Sequence, residues 1–285
     1  MRYAEDGDGS IPADTFGRAK LAGAVSELAR VLAVAQRLRA PGGCPWDREQ
    51  SVRSLAPALV EEAFEAVDGL DELARTGDAR GAVEELGDLL FSIALLCQVA
   101  SEEGVFDLER AARGAAEKIV RRHPHVYGEA KDLSSDAALA QWERIKAEER
   151  AARGRDDTSA LSGVPRALPA LQRAARLGAK AMALGFRWES ADGALAKVRE
   201  EVLELDEAYR GDDRGALERE LGDVLLATSQ FANYVGVDPE TAARDAAHRF
   251  ETRFRAMEQE LGDGAGHADL ERWMDAWRRA KARTT

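Results

Sequence analysis

The chain has 285 residues, 40 Lys+Arg against 52 Asp+Glu, and a formal net charge of −12. That balance argues against non-specific DNA or RNA binding, which needs a basic face. It leaves room for small anionic ligands only where a metal ion or a local group of Arg and Lys meets them. Apolar residues make up 45% of the chain, enough to build cores for about two domains of ordinary size. The N-terminal stretch is polar and Gly-rich and lacks the apolar run of an export signal. The most apolar segment, Leu89 to Ala100, is too short to span a bilayer. Cys44 and Cys97 make no disulfide framework, so a cytoplasmic location is expected, with no membrane association and no stable nucleic-acid partner.

Read in chain order, nearly every segment has helical period. Leu21, Val25, Leu28, Val31, Leu32, Ala35 and Leu38 form one apolar stripe at spacings of three and four. A second helix is predicted from about Ser51 to Ala74. A third starts near Asp78 and carries Leu86, Leu89, Leu90, Ile93 and Leu96. A fourth runs from Asp107 to about Arg121 and is broken by His123-Pro124-His125. A fifth is capped by Ser134 or Ser135 and reaches about Ala152. Residues 153–165 hold turn formers and little periodicity. Helices resume over about Ala167–Leu184, Ala191–Tyr209, Asp213–Val235, Pro239–Leu261 and Ala268–Arg283, with Asp238 an N-cap before a first-turn proline. No alternating strand pattern competes, so the expected fold class is all-α.

Self-comparison shows an internal repeat. Glu61-Glu62-Ala63-Phe64-Glu65 returns as Glu200-Glu201-Val202-Leu203-Glu204, at an offset of 139. Glu84-Glu85-Leu86-Gly87-Asp88 returns as Arg219-Glu220-Leu221-Gly222-Asp223, at an offset of 135. Lys118 and Arg122 correspond to Arg249 and Arg253, and Trp142 and Lys146 to Trp277 and Lys281. Cys44-Pro45-Trp46 sits loosely opposite Phe186-Arg187-Trp188. The expected organisation is a disordered tail over 1–19, a first module over 20–152, a linker over 153–166 and a second module over 167–285, a tandem of two helical bundles.

Glu62 and Glu65 share one helix face, as do Glu85 and Asp88 on the next helix. If the two helices pack antiparallel, four carboxylates converge, a crowding relieved by a divalent cation. All-oxygen ligation suits Mg²⁺ or Mn²⁺ rather than zinc. The second module offers Glu201, Glu204, Glu220 and Asp223 at the same spacing. Lys118 with Arg122, and Arg249 with Arg253, each present two cations on one helix face, fit for phosphate oxygens. Trp142 with Lys146, and Trp277 with Lys281, could stack on a base and hold a phosphate. Each of these features alone also occurs on ordinary solvated or core-facing helices. It is their joint repetition that points to a site.

EExxE followed by ExxD on successive helices resembles the all-α nucleoside triphosphate pyrophosphohydrolases, and specifically the MazG proteins. Gly43-Cys44-Pro45-Trp46-Asp47, Glu84 through Phe91 and Arg121-Arg122-His123-Pro124-His125-Val126 sharpen the likeness to the two-module form over about 20–283. The resemblance implies Mg²⁺-dependent hydrolysis of NTPs and dNTPs to monophosphate and pyrophosphate, with a role in clearing non-canonical or excess nucleotides. It also implies a homodimer or higher homo-oligomer. The metal ligands it assigns are Glu201, Glu204, Glu220 and Asp223, with Glu62, Glu65, Glu85 and Asp88 in the first module. Contacts to nucleotide and phosphates fall to Lys197, Arg249, Arg253, Trp277 and Lys281, and to Lys118, Arg122, Trp142 and Lys146. The resemblance places most of the activity in the C-terminal module. Two positions depart from that site's pattern: Ala216 and Arg249 each stand where it has lysine. Glu200 or its copy Glu61 is the candidate for orienting the attacking water.

Three readings stay in competition. No Gly-rich phosphate loop exists, which removes a P-loop mechanism. A di-iron carboxylate bundle needs Glu-x-x-His on two helices, and only Asp245-x-x-His248 comes near. A non-catalytic helical scaffold or regulatory interaction protein is the alternative to the hydrolase.

Overall fold

The computed structural model describes residues 18–128, 133–152, 159–211, 213–262 and 269–283. Every regular element among them is a helix, as the periodicity predicts. The chain divides into two compact units, Met1–Gly154 and Arg155–Thr285. The expected tail falls mostly on residues 1–17, outside the described residues, while residues 18 and 19 already belong to the first helix. The expected linker lies partly outside them too, and its described end, 159–166, is made of turns.

The first unit contains α1 (Arg18–Arg39), α2 (Pro45–Glu49), α3 (Val52–Thr76), α4 (Arg80–Glu102), α5 (Leu108–Arg122), α6 (Pro124–Tyr127) and α7 (Ser135–Ala152). Ser51 and Ser54 form a reciprocal capping box that starts α3. Gly77, with φ 76°, ends it and turns the chain into α4. The two helices form an antiparallel hairpin whose inner face can be read from heptad spacing. Leu55, Glu62 and Gly69 lie seven apart on α3 and so face the same way. At one end Leu55 joins Ala35 of α1 and Ala94, Leu95 and Val99 of α4 in the core. At the other end the backbones nearly touch, since a Cβ on Gly69 would lie 2.9 Å from Ala82 Cα. Glu62 sits between these two contacts, at the margin of the buried seam. Arg39 secures the core end: its guanidinium binds Glu102 and donates to the Gln50 carbonyl at 3.0 Å.

The second unit contains α8 (Ala170–Ala183), α9 (Ala191–Arg210), α10 (Arg214–Val235), α11 (Pro239–Leu261) and α12 (Leu270–Arg283). The α9–α10 hairpin repeats α3–α4. Ala194, at the position of Leu55, is buried, and so is Glu201 seven residues on. α8 packs on α10 through Ala175 and Gly178, and Asn233 Nδ2 donates to the Ala175 carbonyl at 2.9 Å. α11 and α12 pair around Met257, Ala276, Ala280, Trp273 and Trp277. The repeat reaches the helix ends. Gly104 (φ 70°) and Gly236 (φ 66°) follow α4 and α10 in the left-handed region that glycine tolerates. The next residue in each case closes a six-residue loop, Val105 to the Ala100 carbonyl at 2.9 Å and Val237 to the Ala232 carbonyl at 3.0 Å. Asp107 and Asp238 then cap α5 and α11.

Some boundaries differ from the sequence reading. α8 begins at Ala170 rather than Ala167, because Pro169 occupies the cap and disfavours helical backbone before it. Ala268, the expected start of the last helix, lies outside the described residues. Asp269 caps α12 through the Arg272 amide at 3.0 Å. α2 and α6 escaped prediction because one turn is too short to show a period, although each opens with a first-turn proline. The loose pairing of Cys44-Pro45-Trp46 with Phe186-Arg187-Trp188 has no structural counterpart: the first enters a helix and the second does not.

Candidate metal centres and their phosphate-facing neighbours

The antiparallel packing of α3 on α4 brings Glu62, Glu85 and Asp88 together, with one carboxylate oxygen from each within 4.8 Å of the others. α9 and α10 do the same with Glu201, Glu204 and Glu220. The sequence reading expected four acids in each module, but three converge. Glu65 stands just outside the first group, where its charge still acts on Glu62 and Glu85. Asp223 stands outside the second. In each case the fourth acid is one helical turn from a converging one, and its repeat equivalent, Glu204 for Glu65 and Asp88 for Asp223, does converge in the other module.

Crowding shows in the protonation equilibria. Desolvation and then the neighbouring carboxylates, Glu65 foremost, raise Glu62 and Glu85 above the ordinary carboxylate range. Glu204 is raised by desolvation and by its hydrogen bond to Glu201. The second unit differs in holding a cation of its own. Lys197 Nζ lies 2.6 Å from Glu200 and 2.8 Å from Glu201. Its hydrogen bonds to these two acids hold the ammonium well above its ordinary value. Glu201, only 7% exposed, is therefore a buried carboxylate with a salt-bridge partner.

Two of the expected phosphate-facing residues of the first unit, Arg122 and Trp142, touch each other, and Arg122 and Lys146 are held by acids. Glu149 near the end of α7 accepts from Arg121 Nε at 2.7 Å and from Arg122 Nη2 at 2.6 Å. These guanidinium contacts pull the Glu149 carboxyl down to about 2. Arg122 lies 5.2 Å from the Trp142 ring centre, and His123 meets the same ring edge-on at 4.8 Å. His125 Nδ1 is 3.0 Å from Gln141 Oε1, so the two histidines tie the α5–α6 junction and α6 to α7. Lys146 pairs with Glu143 at 2.8 Å. Lys118 is half-buried on α5. α5 packs on α4, α6 and α7, while the main partner of α3 is α4.

In the second unit Arg253 lies 5.8 Å from the Trp277 ring centre, and Phe250 adds a ring contact to Trp277 at 5.6 Å. Arg249 and Lys281 are exposed on α11 and α12. The sequence reading missed the clamp of Glu149 on Arg121 and Arg122. The two partners are 28 and 27 residues apart, and no local spacing signals such a contact.

Fold and clusters together define an all-α protein with two carboxylate centres able to hold a metal ion. A MazG nucleotide pyrophosphohydrolase domain model matches residues 50–127 and 189–258, the segments that carry the two hairpins. The chain is 39% identical over 265 residues to the nucleoside triphosphate pyrophosphohydrolase of Escherichia coli K12, covering 90% of this chain and 98% of that protein. It is 37% identical over 254 residues to the nucleoside triphosphate pyrophosphohydrolase/pyrophosphatase MazG of Thermotoga maritima, covering 88% and 94%. A similar enzyme of Mycolicibacterium smegmatis matches at 32% over 173 residues, 60% of this chain and 51% of that protein. The chain belongs to the MazG nucleotide pyrophosphohydrolase family and is a hydrolase.

Proposed function

We propose that the protein hydrolyses nucleoside triphosphates, ribo- or deoxyribo-, to the monophosphate and pyrophosphate with Mg²⁺ as its ion and Mn²⁺ as a substitute. The observation that carries this reading is the twofold convergence of three carboxylates across an antiparallel helix pair. The donor set fits the ion, because hard carboxylate oxygens without imidazole or thiolate match Mg²⁺ and Mn²⁺. Glu62, Glu85 and Asp88 would hold it in the first module, with Glu65 adjacent. Glu201, Glu204 and Glu220 would hold it in the second, with Asp223 adjacent. When bound, the ion supplies charge neutralisation of the triphosphate and a lowered pKa for a coordinated water.

The remaining work falls to the chain's own groups. Arg249, Arg253, Lys281 and Lys197 meet phosphate oxygens and stabilise the charge that develops on departing pyrophosphate. Trp277 offers a ring for the base. In the first module Lys118, Arg122, Lys146 and Trp142 take these parts once Glu149 releases Arg122. Glu200, or Glu61 in the first module, orients the water that attacks the α-phosphorus. We assign the larger share of turnover to the second module.

The active species is a homodimer. Supporting this, each acid-bearing hairpin has an apolar stripe that its own unit leaves uncovered. We place the enzyme in the cytoplasm, where its two unpaired cysteines would stay reduced. Among the described residues, no helix is long and apolar enough to cross a membrane. The deciding experiment incubates the purified chain with a mixture of NTPs and dNTPs and Mg²⁺, then quantifies monophosphate and pyrophosphate. Equal amounts of both are expected. Release of orthophosphate would overturn the cleavage position, and no product with either ion would favour a scaffold.

A further inference from the structure

The two clusters share a geometry but not an electrostatic setting. In the second, Lys197 Nζ sits against Glu200 and Glu201 at 2.6 and 2.8 Å. Its counterpart in the first module, one turn before Glu61 and Glu62, is Ala58. A second position differs in the same sense, because Arg219 stands where the first module has Glu84, immediately before the ExxD motif. Counting the acids of the paired motifs with these two positions, the first module carries six negative charges and no positive one. The second carries five negative and two positive. Among these positions the first cluster's carboxylates face only one another, whereas the second already has an ammonium on its most buried carboxylate.

We propose that the two modules load divalent metal unequally, and that Lys197 is the residue that sets the difference. This rests on the reading that the acid triads hold divalent ions. The first module binds the ion from free solution, since nothing competes for its oxygens. In the second, the ion must take Glu201 from Lys197. That exchange costs the ion pair unless the displaced ammonium finds another anion. A bound triphosphate supplies that anion, so metal and nucleotide enter the second module together. Lys197 is thus a positioning residue that couples metal occupancy to substrate.

The test is a Mn²⁺ titration of the full chain without nucleotide, with free Mn²⁺ followed by electron paramagnetic resonance. Two classes of site are expected. Glu85→Gln should abolish the tight class and Glu204→Gln the weak one. Lys197→Ala should tighten the weak class by roughly fivefold, the worth of one partly buried ion pair, and Lys197→Arg should leave it weak. Ala58→Lys, on a half-buried turn of α3, should weaken the tight class and tests the idea independently should Lys197→Ala not fold. An unshifted weak class in folded Lys197→Ala, or loss of the tight class in Glu204→Gln, would overturn the proposal. Mn²⁺ binding indifferent to both Gln substitutions would instead overturn the metal reading beneath it.

Discussion

At the scale of residues, the second cluster makes a direct test of where turnover resides. Glu204 is one of three acids that converge in the second cluster, and Glu85 is one of three in the first. Glu204→Gln should lower kcat on the order of 100-fold, the effect of removing a group that fixes charge at a reacting centre. Glu85→Gln, which removes a converging acid of the first cluster, should lower it far less. The reverse ordering in steady-state assays would move the assignment to the first module. A pH dependence follows from Glu62 and Glu85, both held above the ordinary carboxylate range by desolvation and by Glu65. Between the ordinary value and the raised one, the native state holds more protons than the unfolded chain. Stability from these groups is therefore greatest on the acid side and falls as pH rises through that window. In metal-free protein, the thermal midpoint of wild type relative to Glu62→Gln should decline as pH rises above the ordinary carboxylate value, and Mg²⁺ should restore it. A difference that stays flat across this range would contradict mutual repulsion in the cluster. The types and spacing of these residues were legible in the sequence, because i,i+3 pairs on successive helices specify a shared face. Which three of the four acids converge was not, since the same motif positions behave differently in the two modules, Glu204 converging where Glu65 does not and Asp88 where Asp223 does not.

At the scale of elements, the first hairpin is held close at its turn by a residue whose role is steric. Gly→Ala inside a helix ordinarily stabilises by about 1 kcal/mol. At Gly69 the added methyl carbon would lie 2.9 Å from Ala82 Cα and 3.0 Å from its amide nitrogen, so backbone would have to move. Gly69→Ala should instead destabilise the first unit by about 1–3 kcal/mol, as overpacking does, and should weaken metal binding by Glu62, Glu85 and Asp88. Urea unfolding with and without Mn²⁺ measures both effects, and a stabilised variant would refute the close packing. The second hairpin accepts Ala208 at the equivalent position, so the two seams are not built alike. Long elements were legible here because cap, period and stop agree. Ser51, Asp107 and Asp238 each cap the helix that the apolar pattern calls for. The joining of α5 to α7 was not legible, because Arg121, Arg122 and Glu149 meet through the turn of the chain rather than through any periodicity.

At the scale of the molecule, each hairpin carries more apolar surface than its own unit covers. On α4, Leu86 is 45% and Leu90 41% exposed, and their repeat partners on α10, Leu221 and Leu225, are 50% and 49% exposed. Phe64 and Leu203, again equivalent, are exposed beside them on α3 and α9. Each pair of leucines is spaced i,i+4, one helix stripe, so the same face is left open twice at the same register. Isolated exposed leucines need no explanation, but a repeated contiguous stripe next to a charged site does. Helical bundles of this kind close when a second hairpin covers that stripe, and a twofold axis lets one copy of the chain supply it to another. Such an interface would need to bury about 800 Å² per partner to be stable. Sedimentation at micromolar concentration should therefore give twice the chain mass of 30.9 kDa, or a higher multiple. Leu86→Glu with Leu90→Glu should leave helical circular dichroism intact and weaken the assembly. Activity should fall with the assembly even though no acid of either cluster has changed. A wild-type chain that sediments as a monomer while hydrolysing NTPs would show that one chain completes its own sites.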